Sequence, residues 1–194
     1  MSLNETPVSE RVQIGFLGNV NAGKSSIINA ITGQNISVVS EFKGTTTDTV
    51  KKTMELHKAG PVVLIDTPGL SDDGEIGSLR MKATMKALDS VNVAVIVTTP
   101  AETDADIEPL IKLCREKDIP YIVVCNKMDG FAGNAEDIHA DILVSAKEKT
   151  NIEELKNLLE EKIILFNESK TERFIISDKL KKNSLVTLVI PIDE

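Results

Sequence analysis

The segment GNVNAGKSS at residues 18–26 lies between the apolar run VQIGFLG at 12–18 and the amphipathic stretch KSSIINAIT at 24–32. This order predicts a buried strand, a tight glycine-containing turn and a helix. The spacing Gly-x-x-x-x-Gly-Lys-Ser is typical of a loop whose backbone N–H groups and helix N-terminus hold a polyphosphate. The alternative interpretation is a glycine-rich turn without a ligand, which the later motifs disfavour.

The side chains of this phosphate loop are the first candidate ligands. Lys24 is expected to reach the β- and γ-phosphates, and the Ser25 hydroxyl to bind Mg²⁺. The carbonyl oxygen of the Asn21 side chain is a candidate ligand for K⁺, which would neutralise charge between the same phosphates; the alternative is that Asn21 only braces the turn. Further contacts with the nucleotide are expected from Asn19, Ala22, Gly23 and Ser26.

The rest of the chain alternates between strand-like and helix-like segments. Near-continuous apolar runs are typical of parallel strands buried on both faces, whereas the alternating stretch 49–57 predicts an antiparallel edge strand beside 61–66. A helix over 133–139 is expected to be stunted or absent. The pattern predicts an α/β fold, a doubly wound and mostly parallel six-stranded sheet with one antiparallel edge strand and helices on both faces. The other predicted strands are 12–18, 61–66, 91–99, 119–127 and 140–146, and the helices are 24–32, 78–89, 104–118 and 151–166.

Composition restricts the classes of function. With 194 residues, 41% of them hydrophobic, the chain is long enough for one sizeable domain. Its net charge of −8 argues against nucleic-acid binding, and it contains no apolar run of the roughly 20 residues that a membrane span needs. The start of the chain does not have the pattern of a secretory signal, so a cytoplasmic location is expected. Cys114 and Cys125 are expected to be buried thiols rather than metal ligands.

Three later motifs follow predicted strands. In DTPG at 66–69, Asp66 is expected to hold Mg²⁺ through water, and the Gly69 N–H to contact a γ-phosphate. In NKMD at 126–129, the Asp129 carboxylate can accept hydrogen bonds from guanine N1–H and its exocyclic amine, a donor pair that adenine does not present. Asn126 is expected to brace the loop, Lys127 to lay its stem across the purine, and SAK at 145–147 (Ser145, Ala146, Lys147) to present the Ala146 N–H to guanine O6.

The polar segment SVVSEFKGTTTDT at 37–49 is predicted to be a switch loop, which becomes ordered only when γ-phosphate and Mg²⁺ are bound. Thr46 is the expected Mg²⁺ ligand, with Thr45 or Thr47 as alternatives and an ordinary flexible loop as the other interpretation. Lys24, Thr46 and Gly69 are the expected catalytic residues. Leu70 occupies the position where Ras-type enzymes place a water-orienting glutamine, so slow hydrolysis is expected, or a module that only binds the nucleotide.

These motifs resemble the Ras-like P-loop GTPases, and NAGKS at 21–25 with GTT-x-D at 44–48 resembles their TrmE–Era class. The resemblance implies a GTPase domain over 10–168 that binds GTP or GDP with Mg²⁺. It also implies K⁺ at Asn21. A GTPase of tRNA modification or ribosome assembly is one function that this class implies.

MSLNETP at 1–7, NAGKSSIINAITGQ at 21–34 and LVTLVIPIDE at 185–194 resemble the maturation GTPases of iron-only hydrogenases. That resemblance implies the main expected function, a scaffold that assembles or delivers a di-iron precursor, with maturation enzymes and the hydrogenase as partners; the tRNA or ribosome function is the alternative. It also implies an arm at 1–9, a linker and the start of a dimerisation domain at 169–194, and a homodimer formed beyond Glu194. Because 167–194 contains neither Cys nor His, no iron–sulfur cluster is expected in this chain.

Overall fold

The structure, a computed structural model, describes residues 11–33, 50–69 and 84–171. Several predictions fall outside these ranges: the switch loop with Thr46, the position of Leu70, the first half of the helix predicted at 78–89, and both ends of the chain. In the second half of that helix, residues 84–88 are helical and residue 89 lies in a turn. The predicted domain boundaries at 10 and 168 remain predictions.

Six strands form one sheet with the order β2-β3-β1-β4-β5-β6. The strand β2 pairs antiparallel with β3 at one edge, and every other neighbouring pair is parallel. The predicted α/β fold with an antiparallel edge strand is therefore confirmed. The strands are β1 (Val12–Leu17), β2 (Val50–Leu56), β3 (Gly60–Asp66), β4 (Val93–Thr98), β5 (Tyr121–Cys125) and β6 (Ile142–Leu143).

In the described residues, the helices besides the segment 84–88 are α1 (Lys24–Thr32), α2 (Asp104–Glu116) and α3 (Ile152–Thr171), and α3 continues beyond residue 166, where the predicted helix ends. One core cluster joins the sheet to α1 and α3 through residues such as Ile27 and Leu159. A second cluster on the opposite face joins it to α2 and the segment 84–88 through Leu110 and Leu88. The helices thus cover both faces of the sheet, as predicted.

Around the last strand of the sheet, one element differs in length from the prediction and one agrees with it. The strand β6 has two residues instead of the predicted segment 140–146, although Asp141 and Val144 continue its hydrogen bonding to β5 through backbone N–H groups. Beyond Val144 the chain turns into a bridge between Ser145 and Thr150, which ends the strand. The predicted absence of a full helix at 133–139 is confirmed, since only a single 3₁₀ turn, Ala135–Asp137, lies there.

The parallel arrangement brings the carboxyl ends of β1, β3, β4, β5 and β6 to one edge of the sheet. The strand β1 lies between β3 and β4, so the chain leaves β1 at the point where the strand order reverses. Ligands of open α/β sheets bind in the crevice at such a point. The phosphate loop at 18–26 follows β1 directly and lies in this crevice.

Candidate nucleotide-binding site

The phosphate loop needs glycine at both ends because the backbone passes close to neighbouring elements. Gly18 has φ +142, and a Cβ there would lie 2.2 Å from the carbonyl oxygen of Val97 in β4. Gly23 has φ +96, and a Cβ there would lie 2.2 Å from Nδ2 of Asn126. The loop is therefore packed against β4 on one side and against the NKMD segment on the other.

Lys24, the first residue of α1, folds its side chain back over the loop. Its ammonium group donates hydrogen bonds to the carbonyl oxygens of Gly18, at 3.0 Å, and Asn19, at 2.8 Å. The residue is 7% exposed, so the positive charge is held inside the loop rather than in solvent. Together with the N-terminus of α1, this charge makes the loop suitable for a polyphosphate.

Ser25 and Asp66 meet at the mouth of the loop. The Ser25 hydroxyl, on the first turn of α1, donates a hydrogen bond to a carboxylate oxygen of Asp66 at the end of β3. A hydroxyl and a carboxylate are hard oxygen ligands of the kind that Mg²⁺ prefers. These two residues, predicted as magnesium ligands from motifs 41 positions apart, therefore fit a shared cation.

The DTPG segment packs directly against β1 and the phosphate loop. The Thr67 hydroxyl donates a 2.6 Å hydrogen bond to the carbonyl oxygen of Phe16 in β1. The Gly69 backbone lies against Val20, so closely that a Cβ at Gly69 would come within 2.6 Å of the Val20 backbone. The backbone of Gly69 is thereby held beside the loop that carries Lys24.

Asn126 links the phosphate loop to the two segments predicted to hold the base. Its side-chain amide donates to the carbonyl oxygen of Ala22 at 3.1 Å, and its side-chain oxygen accepts from the Ala146 N–H at 3.1 Å. The residue is 2% exposed. The Ala146 N–H, which the sequence predicts to face guanine O6, is bonded to Asn126 in this structure.

Asp129 is held by the SAK segment. The Ser145 hydroxyl donates to one carboxylate oxygen at 2.7 Å, and the Lys147 ammonium lies 3.6 Å from the other. The hydrogen bond from Ser145 is the main cause that holds the pKa of Asp129 below its ordinary value, and Lys147 adds to it. Asp129 is therefore a carboxylate that accepts hydrogen bonds, as recognition of guanine requires.

Lys127 and Asn21 both adopt left-handed backbone conformations, with φ of 66 and 65. Both residues are exposed, and Ser26 is exposed as well. Lys127 also lines a cavity of about 390 Å³ with Pro100 and Phe131. Because both residues are exposed, the Lys127 and Asn21 side chains are accessible to a ligand.

Glu102 belongs to this edge of the sheet, and the sequence motifs did not single it out. Its carboxylate accepts a 2.6 Å hydrogen bond from the Asn19 side chain in the phosphate loop. Its other oxygen accepts from the Thr98 hydroxyl and the Thr99 N–H, at 3.0 and 2.7 Å. The signal that could have found it is an acidic residue soon after the end of β4, where the loops of the site converge.

The structure thus brings nearly all predicted site residues to one edge of the sheet, while Thr46 lies outside the described residues. In the described parts of the chain, we find no helix with the length and apolar composition that a membrane span requires.

A family model described as "50S ribosome-binding GTPase" matches residues 13–127. GTPase Der of Wolinella succinogenes is 35% identical over 139 residues, 66% of this chain and 29% of Der. The tRNA modification GTPase MnmE of Mycoplasmoides gallisepticum is 26% identical over 194 residues, 99% of this chain and 43% of MnmE.

Among solved structures, Aquifex aeolicus Era bound to GDP·AlF₄⁻ is similar, with a TM-score of 0.61 and 21% identity over 77% of this chain and 56% of Era. This likeness supports the Ras-like fold. The chain spans less than half the length of the curated relatives described above.

Proposed function

Because the chain belongs to the family of 50S ribosome-binding GTPases, we propose that its nucleotide site works as a slow molecular switch. In this proposal the site binds GTP with Mg²⁺, hydrolyses it to GDP and phosphate, and changes the switch loop with the state of the nucleotide. The observation that carries the proposal is Asn126, whose side chain bonds both the phosphate loop and the SAK segment. The parts expected to hold phosphate and base are therefore one connected site.

The residues have distinct roles in the proposed reaction. Lys24 offsets the negative charge that develops between the β- and γ-phosphates, and the Gly69 N–H donates to the γ-phosphate. Ser25 and Asp66, together with Thr46, would hold Mg²⁺, which would supply further positive charge at the phosphates. Asp129 accepts two hydrogen bonds from guanine, and the Lys127 stem lies across the base.

Slow turnover is proposed because Leu70 stands where a glutamine would orient the attacking water. A leucine side chain neither accepts nor donates a hydrogen bond. Without that group or an arginine finger, intrinsic turnover is on the order of 10⁻³ per second or below. The switch between two nucleotide states then matters more than the rate of product formation.

Potassium is proposed as the positive charge that replaces an arginine finger. Asn21 is exposed, and its side-chain oxygen can ligate a monovalent cation beside the phosphate loop. The TrmE-like class that the sequence resembles uses K⁺ at the matching asparagine. The potassium proposal is therefore supported by the asparagine at position 21 and by the resemblance to the TrmE-like class.

The experiment that tests the enzyme is phosphate release from GTP in K⁺ and in Na⁺ at constant ionic strength. Native chain, Asn21→Ala and Lys24→Ala are compared. We expect faster release in K⁺, a loss of that difference in Asn21→Ala, and no release in Lys24→Ala. Equal rates of phosphate release in both salts would contradict the role of potassium. If the native chain released phosphate no faster than Lys24→Ala, the domain would bind the nucleotide without hydrolysing it.

For the cellular role, we propose tRNA modification or ribosome assembly. The support is that the relative MnmE is a tRNA modification GTPase and that the matching family is one of 50S ribosome-binding GTPases. The net charge of −8 disfavours RNA contact by this domain. We therefore propose that other parts of the full protein contact RNA, and that it works in the cytoplasm.

Hydrogenase maturation is the second candidate, and it rests on the resemblance of 1–7 and 185–194 to those maturation GTPases. In this case the full protein would be a dimeric scaffold that acts with maturation enzymes on an iron-only hydrogenase. Deletion of the gene separates the candidates. Loss of tRNA modification or of mature ribosomes supports the first candidate, and loss of hydrogenase activity alone supports the second.

A further inference from the structure

Glu102 joins two loops of the nucleotide site that are distant in the sequence. One carboxylate oxygen accepts from Nδ2 of Asn19, 83 residues away, at 2.6 Å. The other oxygen accepts from the Thr98 hydroxyl and the Thr99 N–H. All three hydrogen bonds are made to a half-buried carboxylate, and hydrogen bonds to charged groups are among the stronger ones in proteins.

On the side of the phosphate loop, the contact continues to the lysine. The carbonyl oxygen of Asn19 accepts from the Lys24 ammonium at 2.8 Å and from the Ala22 N–H at 3.3 Å. The side chain and the backbone of Asn19 therefore face in two directions, one toward Glu102 and one toward the centre of the loop. A carboxylate that fixes the Asn19 side chain also fixes the carbonyl group that holds Lys24.

On the other side, the contact continues to the base segment. Thr98 is the last residue of β4, and its carbonyl oxygen accepts from the Asn126 N–H at 2.8 Å. Glu102 and Asn126 thus give two separate connections between the phosphate loop and the base segment. One runs from Asn19 through Glu102 and Thr98, and the other runs directly from Ala22 to the Asn126 side chain.

We propose that Glu102 is a positioning residue that holds the first turn of the phosphate loop, at Gly18 and Asn19, in the conformation that binds nucleotide. The inference rests on the proposed function, since it concerns the same GTP site. A negative charge beside a phosphate site repels the ligand. The hydrogen bonds of Glu102 offset that cost by keeping the loop ordered before the nucleotide arrives, so that less conformational entropy is lost on binding.

The first measurement is the affinity for fluorescently labelled GDP in the full chain. Glu102→Ala removes all three hydrogen bonds, and we expect affinity to fall about tenfold. Glu102→Gln restores them, because its amide oxygen accepts from Thr98 and Thr99 while its amide nitrogen donates to a rotated Asn19 side chain. We expect this variant to bind GDP at least as tightly as the native chain, since it also removes the repelling charge.

Asp106→Ala is the matched control. Asp106 lies in the first turn of α2, the helix that begins two residues after Glu102, and accepts from the Thr103 N–H at 2.7 Å, so its loss weakens the start of α2 without touching Asn19. We expect Asp106→Ala to lower the melting temperature but to leave GDP affinity within about twofold of native. An equal loss of affinity in Asp106→Ala and Glu102→Ala would show that only helix stability matters and would overturn the proposal.

The second measurement is a double-mutant cycle with Asn19→Ala. If Glu102 acts through Asn19, the double variant binds GDP about as weakly as either single variant. In GTP hydrolysis, KM should rise while kcat changes less than twofold, because Glu102 contacts none of the reacting groups. Additive losses in the cycle, or unchanged GDP affinity in Glu102→Ala, would overturn the proposal. Absence of GDP binding by the native chain would instead contradict the GTP site itself.

Discussion

The Ser145 hydroxyl donates a 2.7 Å hydrogen bond to a carboxylate oxygen of Asp129, across 16 positions of sequence. Ser145 also accepts from the Glu148 N–H at 3.0 Å, so its hydroxyl oxygen is fixed by the turn that follows β6. The turn therefore sets the direction in which the Asp129 carboxylate points. The SAK segment supports base recognition by orienting a carboxylate as well as by presenting its own backbone.

The first prediction concerns guanine. Asp129→Asn replaces one acceptor oxygen with an NH₂ group, which faces the exocyclic amine of guanine but can donate to the C2 carbonyl of xanthine. We expect GTP affinity to fall about 10- to 100-fold and XTP affinity to rise, measured by competition against labelled GDP and labelled XDP. Asp137→Asn, in the exposed turn Ala135–Asp137, is the control and should leave both affinities unchanged. Competition by ATP as strong as that by GTP in the native chain would refute the base site.

The second prediction concerns magnesium. Because the Ser25 hydroxyl meets the Asp66 carboxylate, we expect Mg²⁺ to raise the affinity for GDP in the native chain. Ser25→Ala removes one of these two oxygens, so most of the difference between excess Mg²⁺ and EDTA should disappear. Calorimetric titration with GDP, in excess Mg²⁺ and in EDTA, measures this difference in affinity. Ser169→Ala, near the end of α3, should keep the native response, and a full magnesium response in Ser25→Ala would contradict the assignment.

The third prediction uses three glycines to separate backbone strain from collision. Gly60 has φ +77 with open space around a Cβ, so Gly60→Ala should cost about 1–2 kcal/mol of unfolding free energy from strain alone. Gly18 adds a collision with the Val97 backbone, so Gly18→Ala should cost clearly more. Gly130 has neither problem, and Gly130→Ala should stay within about 0.5 kcal/mol of native. Urea unfolding measures all three, and an equal cost at Gly18 and Gly60 would show that the loop yields to the collision.

The fourth prediction concerns alkaline pH. Burial raises the pKa of Cys114 and of Cys125 to about 11, from an ordinary value of 9.0. The folded chain therefore keeps its thiol protons at a pH where the unfolded chain loses them. This stabilisation is fully present below pH 9 and is lost as pH rises to about 11.

The measurement is the free energy of unfolding in urea over that range of pH. The native chain should lose stability more steeply than a variant with Cys114→Ala and Cys125→Ala, in which the thiol contribution is absent. Alkylation of the native thiols at pH 8 should be about a hundredfold slower than in urea, since little thiolate forms. Parallel slopes for the two chains would show that the buried thiols do not contribute.

Much of the fold could be predicted because each of its signals is local. The helix α1 was predicted with its observed bounds, since residues 24–32 form an amphipathic stretch that directly follows the glycine-containing turn. The antiparallel strand β2 was predicted because polar and apolar residues alternate along it. The length of β6 was not predicted correctly. The strand ends where Ser145 forms a bridge with Thr150, and the apolar composition of the segment does not indicate such a bridge.

The candidate site was predictable at the level of its motifs but not of its internal contacts. Lys24 and Asp129 were found because their neighbours in sequence have a characteristic order. The bonds of Asn126 to Ala22 and Ala146, and of Asn19 to Glu102, join residues 20 to 104 positions apart. Such pairs follow no sequence period, and they become visible only when the sheet brings the loops together.

The helix α3 begins two residues after the bridge that closes the SAK turn, and its 20 residues give a length of about 30 Å. Ile152, Leu155, Leu159 and Ile163 are buried against the sheet, whereas Leu165 near its other end is 60% exposed. The helix is therefore attached to the sheet over at least three turns and not only beside the base-binding segment. Any displacement of the SAK turn that moves α3 would shift these turns as one body, together with the core cluster that they share with α1.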